Sequence, residues 1–341
     1  YVALLANTTG TNNTAVGSAA LDANTAGIRN TAVGYSALSS NTTADDNTAV
    51  GQQALFYNTG SNNTAVGRNA LFSNTSADDN TACGRAALEQ NTTGTNNTAV
   101  GKHALLVNST GQQNVAVGSK ALDANTTSNN NNAVGYSALT SNTTGTQNNA
   151  FGAYALQSVT TGSHNLGAGY NAGGSITDGA ANTAVGNYAL DSNTSADSNT
   201  AVGYDCLGNN TTGSLNVAIG RDALGNNTTA DRNTAVGKGA IVSNTTGIRN
   251  VGVGFEALSL VTTGDYNVAF GSYAGNTITN GTENVCIGDN VDVDNSGRVN
   301  TITIGAGLNS IGSNYFTFGK SGNRVYNLFT SNASWTRSSD V

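Results

Sequence analysis

Asn30-Thr31-Ala32-Val33-Gly34 opens a seventeen-residue unit that continues through an Ala-Leu pair such as Ala138-Leu139 and a corner such as Asn142-Thr143-Thr144-Gly145. The closing glycine recurs eighteen times from Gly17 to Gly305. Every step is seventeen residues, except the sixteen between Gly51 and Gly67. So strict a period indicates one structural coil stacked many times. We therefore predict an all-β fold, a parallel β-solenoid of about eighteen coils, which works by length, stiffness and displayed surface.

Composition narrows the classes of function. The 341 residues are only 10% charged, with a net charge of −7, which argues against binding to nucleic acid or to an anionic membrane. No apolar run is long enough to span a bilayer, so no membrane insertion is expected. No motif predicts a cofactor or a bound metal. Tyr1 aligns with Tyr35, one residue after a coil glycine, so we expect the chain to be a piece of a longer protein or a processed product.

The strand of each coil has two distinct faces. The residue before the glycine is Val, Ile or Phe, with Cys83 and Ala168 as exceptions, and the residue two before it is nearly always Ala. Because strand side chains alternate between faces, one face is apolar and the other admits only small residues, so both are expected to be buried. A single coil offers too little apolar area to bury alone, which predicts self-association. Cys83, Cys206 and Cys286 replace inward Val or Ala residues, and we expect buried free thiols.

Asparagine forms two further columns. The first starts every strand, from Asn13 to Asn284. The second lies seven residues after the glycine and gives way in four coils to Val159, Ile176, Val261 or Ile278. A position that accepts either Asn or a β-branched hydrophobe is not solvated, which predicts an internal amide ladder. Its candidate members include Asn24, Asn41, Asn125, Asn142 and Asn244. Alternatively, asparagine serves the turns by tolerating positive φ, which fits the first column about as well.

The Ala-Leu half of the coil is a second short strand or a single helical turn, and six residues do not decide between them. The strand motifs Asn216-Val217-Ala218-Ile219-Gly220 and Asn284-Val285-Cys286-Ile287-Gly288 resemble those of trimeric autotransporter adhesin heads. That resemblance covers residues 1–312 and implies left-handed parallel β-rolls with three chains around one axis. The unit here is longer than in that family, and Ala-Leu replaces its small-residue second strand.

The arrays of Asn-Thr-Ala-Val-Gly and Ala-Leu also resemble bacteriophage tail fibres. The end of the chain, residues 335–341, is similar to the segment leading into the intramolecular chaperone of endosialidase-type fibres and tailspikes. This resemblance implies autocleavage at a Ser-Asp junction with Ser339 as nucleophile and a lysine supplied beyond Val341. Residues 313–341 concentrate aromatic side chains, which predicts a β-rich cap after the shaft.

The two residues after each glycine vary more than any others in the unit, which suits recognition of a glycan or protein on a regular scaffold. Alternatively, their rings pack between chains or neighbouring coils. The candidate recognition residues are Tyr35, Tyr136, Tyr154, Tyr170, Tyr188, Tyr204, Phe255 and Tyr273. The stretch from Asp292 to Gly297 mimics the start of a calcium loop, but Thr303 occupies the place of the bidentate Glu, so a solvated turn is expected. His103 and His164 lie on different coils and support no Ser-His-Asp triad.

Together these features predict a non-enzymatic, structural and receptor-binding tail fibre of a bacteriophage or phage-like particle, located in the virion and mediating host attachment. Its expected partners are two identical chains, other tail or baseplate proteins and a host-surface glycan or protein. The alternative is a trimeric autotransporter-type adhesin on a bacterial surface. A polysaccharide depolymerase is the weakest reading, because no clustered carboxylate pair stands out.

Overall fold

The structure, a computed structural model, describes residues 2–329 and 336–337. Within that part of the chain there are strands and turns and no helix. The chain divides into two units, Tyr1–Asn171 and Ala172–Val341. The prediction of an all-β parallel solenoid with a seventeen-residue spacing is confirmed in each of them.

The first unit contains ten strands that pair in chain order, parallel and in register one coil apart, as Ala15 with Ala32 and Ala32 with Ala49. They are β1 (Thr14–Val16), β2 (Thr31–Val33), β3 (Thr48–Val50), β4 (Thr64–Val66), β5 (Thr81–Cys83), β6 (Thr98–Val100), β7 (Val115–Val117), β8 (Asn132–Val134), β9 (Asn149–Phe151) and β10 (Leu166–Ala168).

The second unit continues the same pattern and ends differently. Strands β11 to β19 pair in parallel, whereas β20 pairs antiparallel with both β19 and β21. They are β11 (Thr183–Val185), β12 (Thr200–Val202), β13 (Val217–Ile219), β14 (Thr234–Val236), β15 (Val251–Val253), β16 (Val268–Phe270), β17 (Val285–Ile287), β18 (Ile302–Ala306), β19 (Tyr315–Lys320), β20 (Asn323–Leu328) and β21 (Thr336–Arg337).

The glycine after each strand is required by the stacking of coils. Gly34 has a φ of 138°, and a Cβ added there would lie 2.5 Å from the carbonyl oxygen of Gly51 in the next coil. Both the backbone conformation and the missing side chain therefore explain why glycine closes the strand. Its amide donates to Val16 O at 2.8 Å, which keeps neighbouring coils in register.

The Ala-Leu half is neither a strand nor a helical turn. Ser36 and Leu38 have φ values of 52° and 54°, in the left-handed region that non-glycine residues seldom adopt. Their amides donate in opposite directions, from Ser36 to Ser18 O in the preceding coil at 2.9 Å and from Leu38 to Ala54 O in the next coil at 2.9 Å. The half-coil is thus a run of tight turns bonded to both neighbours, and the same φ pattern recurs along each unit.

The interior of each coil is narrow and is filled by the strand alanine, the Ala-Leu pair and the asparagines. Ala32, Ala37, Leu38, Asn30 and Asn41 are all completely buried. Alanine is the size that this space permits: at Gly252, which takes the alanine position in β15, a Cβ would lie 2.8 Å from Ile241 Cγ1. Ile241 holds a leucine position, so the β-branched side chain is matched by a glycine opposite it.

Both asparagine columns are hydrogen-bonded between coils. In the first, the amide of Asn30 donates to Asn13 Oδ1 at 2.9 Å, and Asn30 Nδ2 donates to Ala44 O at 2.8 Å. In the second, Asn41 Nδ2 donates to Asn24 Oδ1 at 3.0 Å and also to Ala44 O at 3.0 Å. Asn142 repeats that pattern, donating to Asn125 Oδ1 at 3.0 Å. These bonds satisfy amides that would otherwise be buried at high cost.

Candidate functional site

The strand residue before each glycine forms an apolar column in each unit, and its members are exposed or half-buried. In the first unit Val16 is 57% exposed and Phe151 is 46% exposed, and in the second Phe270 is 44% exposed. No member of either column is charged. The apolar column of the first unit is Val16, Val33, Val50, Val66, Cys83, Val100, Val117, Val134, Phe151 and Ala168; that of the second is Val185, Val202, Ile219, Val236, Val253, Phe270, Ile287, Ile304 and Phe318.

This exposure corrects one expectation and leaves another open. The strand is predicted to be buried on both faces, the second against further chains; within one chain the alanine face is covered and the other face is accessible. Cys83 was predicted to point inward, yet it belongs to the apolar column and is exposed, whereas Cys206 and Cys286 are buried as expected. The alternation of strand side chains identifies two faces but does not say which of them the Ala-Leu half covers.

The apolar column of the second unit widens at its C-terminal end. Phe318 in β19 pairs with Ile304 in β18 and with Val325 in β20. The rings of Phe316 and Phe318 lie 5.7 Å apart, and these four side chains line an open apolar depression.

The predicted recognition aromatics lie on the surface in short runs. Ring centroids are 5.3 Å apart in Tyr136–Tyr154 and 5.7 Å apart in Tyr154–Tyr170, both in edge-to-face geometry. Tyr188–Tyr204 and Phe255–Tyr273 form similar pairs at 6.1 and 5.1 Å. The rings therefore contact neighbouring coils, as the alternative interpretation expected, while Tyr35 is 56% exposed and Tyr136 is 48% exposed. We call Tyr136, Tyr154 and Tyr170 the tyrosine column.

A second surface feature is a row of cations among the variable residues that follow the glycines. In three successive coils the residue directly after the glycine is a cation: Arg68, Arg85 and Lys102. The next coil carries Lys120, two residues after its glycine. All four are exposed. The ion pairs among the described residues are Arg29–Asp46, Arg221–Asp222 and Arg298–Asp294, so none of these four cations has a carboxylate within 4.0 Å. We call them the basic column; the signal was available as three consecutive cations at one repeat position.

Several corners of the coils carry an aspartate that accepts a hydrogen bond from the backbone of the preceding coil. Asp45 Oδ1 accepts from the amide of Ile28 at 2.8 Å, and Asp78 Oδ1 accepts from the amide of Ser61 at 2.7 Å. Asp231 and Asp265 accept in the same way from the preceding coil. These carboxylates therefore close each corner onto the one before it.

The stretch resembling a calcium loop directs its carboxylates to protein donors. Asp292 accepts from the amide and hydroxyl of Thr277 at 3.0 and 2.8 Å, and burial raises the pKa of its carboxyl. The guanidinium of Arg298 donates to Asp294 at 2.7 Å and lowers the pKa of that carboxyl. No group of three His, Cys, Asp or Glu side chains able to hold a metal occurs among the residues that the structure describes.

Two of the three thiols are held in their neutral form. Burial raises the pKa of the Cys206 thiol to about 11 and that of the Cys286 thiol to about 12. Because the thiolate is the reactive species, these two cysteines are suited to packing rather than to chemistry.

His103 and His164 lie in different coils, as expected, and each has a positive φ, 59° and 62°. Ser339, the candidate autocleavage nucleophile, lies outside the described residues. Among the described residues we find no helix with the length and apolar character needed to cross a bilayer. No protein-family model matches the chain, and no curated protein is similar enough to count as a relative.

Proposed function

We propose that this chain is the shaft of a homotrimeric, left-handed β-solenoid fibre from a bacteriophage tail or a related phage-like particle, and that it serves host attachment rather than catalysis. The single observation that carries the proposal is the exposed apolar column present in each unit. The number of chains, the handedness and the viral setting come from the family resemblances of the repeat and of the C-terminal segment.

The apolar column suits association with identical chains. Large contiguous apolar patches on a soluble protein mark interaction surfaces, and here the patch is repeated in every coil. A column of Val, Ile and Phe without any charge can approach its own copies around a symmetry axis without like-charge repulsion. Covering it would bury the second face of each strand, which the sequence predicted.

A matched pair of substitutions tests this assignment. Ile219 in β13 is 40% exposed, and Leu215, four residues earlier at a corner outside the column, is 50% exposed. Ile219→Asp places a charge in the apolar column, whereas Leu215→Asp places the same charge elsewhere on the same coil. Sedimentation should give the wild type and Leu215→Asp a mass near three times the 34.2 kDa of one chain, and Ile219→Asp a lower mass.

A monomeric wild-type chain, or equal dissociation by both substitutions, would refute the trimeric shaft. Attachment itself is measured with the fluorescently labelled trimer on a panel of bacterial strains. Saturable binding to some strains and not to others is the expected result, and a failure of the trimer to bind any strain from which its particle can be propagated would refute the attachment role.

A further inference from the structure

We propose that the basic column and the tyrosine column of the first unit together form a binding surface for a linear anionic polysaccharide lying along the stacked coils. The inference names the class of receptor for the proposed attachment function and depends on that function for its biological meaning. The columns lie in consecutive coils, from the glycine at Gly67 to the glycine at Gly169.

Backbone hydrogen bonds hold the basic column at a fixed spacing. The amide of Ala86 donates to Arg68 O at 2.9 Å, that of His103 to Arg85 O at 3.1 Å, and that of Lys120 to Lys102 O at 3.0 Å. Successive members are therefore separated by one coil, about 4.8 Å along the stack. A backbone that presents one cation in each coil at a constant interval matches a polymer that carries anionic groups at a regular interval.

The charge distribution points to an anion from outside the chain. The chain has a net charge of −7, yet four of its cations occupy successive coils, where neighbouring like charges are unfavourable. No acidic side chain of these coils, which the structure describes in full, forms an ion pair with them. Glu89 accepts from Asn69 Nδ2 at 2.9 Å, and Asp78 accepts from the amide of Ser61. Asp123 is half-buried beside His103 and Lys120 and is more than 4.0 Å from the lysine nitrogen.

The tyrosine column is suited to contact the uncharged sugar rings of the polysaccharide rather than its anionic groups. Between Asp123 and Asp178 the sequence contains no Asp, Glu, Lys or Arg, so the three rings lie in an uncharged stretch. Tyr136 is 48% exposed and Tyr170 is 44% exposed, while Tyr154 contacts both rings and is half-buried between them. Such rings present apolar faces with a hydroxyl at the edge, the combination that packs against pyranose rings and their hydroxyls.

Two other partners fit the surface less well. Binding of nucleic acid is dominated by phosphate neutralisation, and the row of cations stops after four coils and is followed by neutral rings. Contact of this surface with another copy of the chain is also disfavoured, because symmetry would bring equal positive charges together. The apolar column, which contains no charge, is the surface left for that contact.

The test uses a charge-matched pair of double variants of the full chain. Arg85→Gln with Lys102→Gln removes two charges from the basic column. Arg221→Gln with Lys238→Gln removes two charges from the same repeat position in the second unit, where Arg221 pairs with Asp222 at 3.1 Å and Lys238 lies 5.1 Å from the ring centroid of Phe255. Binding to polygalacturonate, to neutral dextran and to single-stranded DNA is measured by calorimetry at low salt.

We expect the wild type to bind polygalacturonate more tightly than dextran or DNA. The first double variant should lose about tenfold or more in affinity and the second less than about twofold. Tyr154→Ala should weaken binding of polygalacturonate without changing any residual binding of DNA. No binding of polygalacturonate by the wild type, equal losses in both double variants, or tighter binding of DNA would overturn the inference.

Sedimentation of the same samples separates this inference from the proposed function. A trimer that does not bind the polysaccharide would reject the binding surface and leave the fibre assignment in place. A monomer that binds it and depends on Arg85 and Lys102 would reject the fibre assignment and support the surface.

Discussion

At the scale of single residues, the second asparagine column has a direction. Each Nδ2 donates to the Oδ1 of the asparagine in the preceding coil. In an uninterrupted run of asparagines, the Nδ2 of the first one therefore has no asparagine to donate to, and the Oδ1 of the last one accepts from no asparagine. In the structure the last members, Asn142 and Asn244, each have a buried Oδ1 without a partner, and the next coils carry Val159 and Val261. Each of these two runs therefore ends in one unsatisfied oxygen.

This direction predicts different costs for the same substitution at two neighbouring positions. Asn227 lies inside a run: its Nδ2 donates to Asn210 Oδ1 at 2.8 Å, and its Oδ1 accepts from Asn244 at 2.9 Å. Asn227→Val leaves Asn210 Oδ1 unsatisfied in addition to Asn244 Oδ1, which should cost about 1–3 kcal/mol of unfolding free energy. Asn244→Val only moves the unsatisfied oxygen to Asn227 and should cost less.

The two unfolding free energies are compared in urea under identical conditions. Equal losses would show that the position in the run is unimportant and that each asparagine acts only through its own coil. A larger loss for Asn244→Val would contradict the direction of the ladder.

The buried thiols give a prediction about pH. The pKa values of Cys206 and Cys286 are raised from 9.0 to about 11 and about 12, so their stabilising effect is complete below pH 9 and is lost as the pH rises toward those values. At pH ~10 each thiol is ionised in the unfolded chain but neutral in the folded one, which should lower the free energy of unfolding by about 1 kcal/mol per thiol. Urea unfolding from pH 8 to ~10.5 should show a shallower decline for Cys206→Ala with Cys286→Ala than for the wild type, and equal slopes would refute this.

At the scale of the coil, the repeat predicts much of the structure. The glycine period and the Val-Ala alternation place β2, β13 and the other solenoid strands, because only stacked coils require the same residue types at the same offsets. The path of the Ala-Leu half could not be predicted, since leucine disfavours the positive φ that Leu38 adopts and no local propensity signals it. For the same reason the sequence did not reveal that the valine face, with Cys83, lies outside the coil.

In two coils a larger side chain at one position accompanies a smaller one at another position of the same coil, and the sequence alone shows both changes. Where Ile278 replaces the ladder asparagine, Gly275 replaces the leucine of the Ala-Leu pair, and Gly173 with Ile176 repeats the exchange. A Cβ added at Gly275 would lie 3.3 Å from Ile278 Cδ1. The isoleucine therefore occupies space that a leucine fills in other coils.

The exchange predicts energetic coupling between the two positions. Gly275→Leu should overpack the coil and cost about 1–3 kcal/mol, because the new side chain meets Ile278 and Leu258. Ile278→Asn alone should also destabilise, by leaving a cavity. The double variant restores the usual pair and should lose less than the sum, by about 0.5–3 kcal/mol in a double-mutant cycle. Strict additivity would show that the two side chains do not share one space.

At the scale of the whole molecule, the apolar columns are kept free of charge. The apolar columns contain no charged residue, the carboxylates concentrate at corners such as Asp45 and Asp231, and the basic column follows the strand glycines. Composition alone, with a net charge of −7, obscured the basic column. Only the register of the coils, which the hydrogen bonds define, turns residues seventeen apart in sequence into neighbours on one surface.

The absence of charge from the apolar columns predicts that salt separates the two proposed activities of the full chain. Raising NaCl from ~0.1 to ~1 M shortens the Debye length from about 10 to about 3 Å, which screens exposed charges but does not weaken apolar burial. Association through the apolar columns should therefore persist at ~1 M NaCl in sedimentation experiments. Binding of polygalacturonate through Arg68, Arg85 and the rest of the basic column should fall steeply over the same range. Dissociation of the trimer by salt would instead assign the chain–chain contact to charged residues, and the apolar columns would then lose their role as the interface.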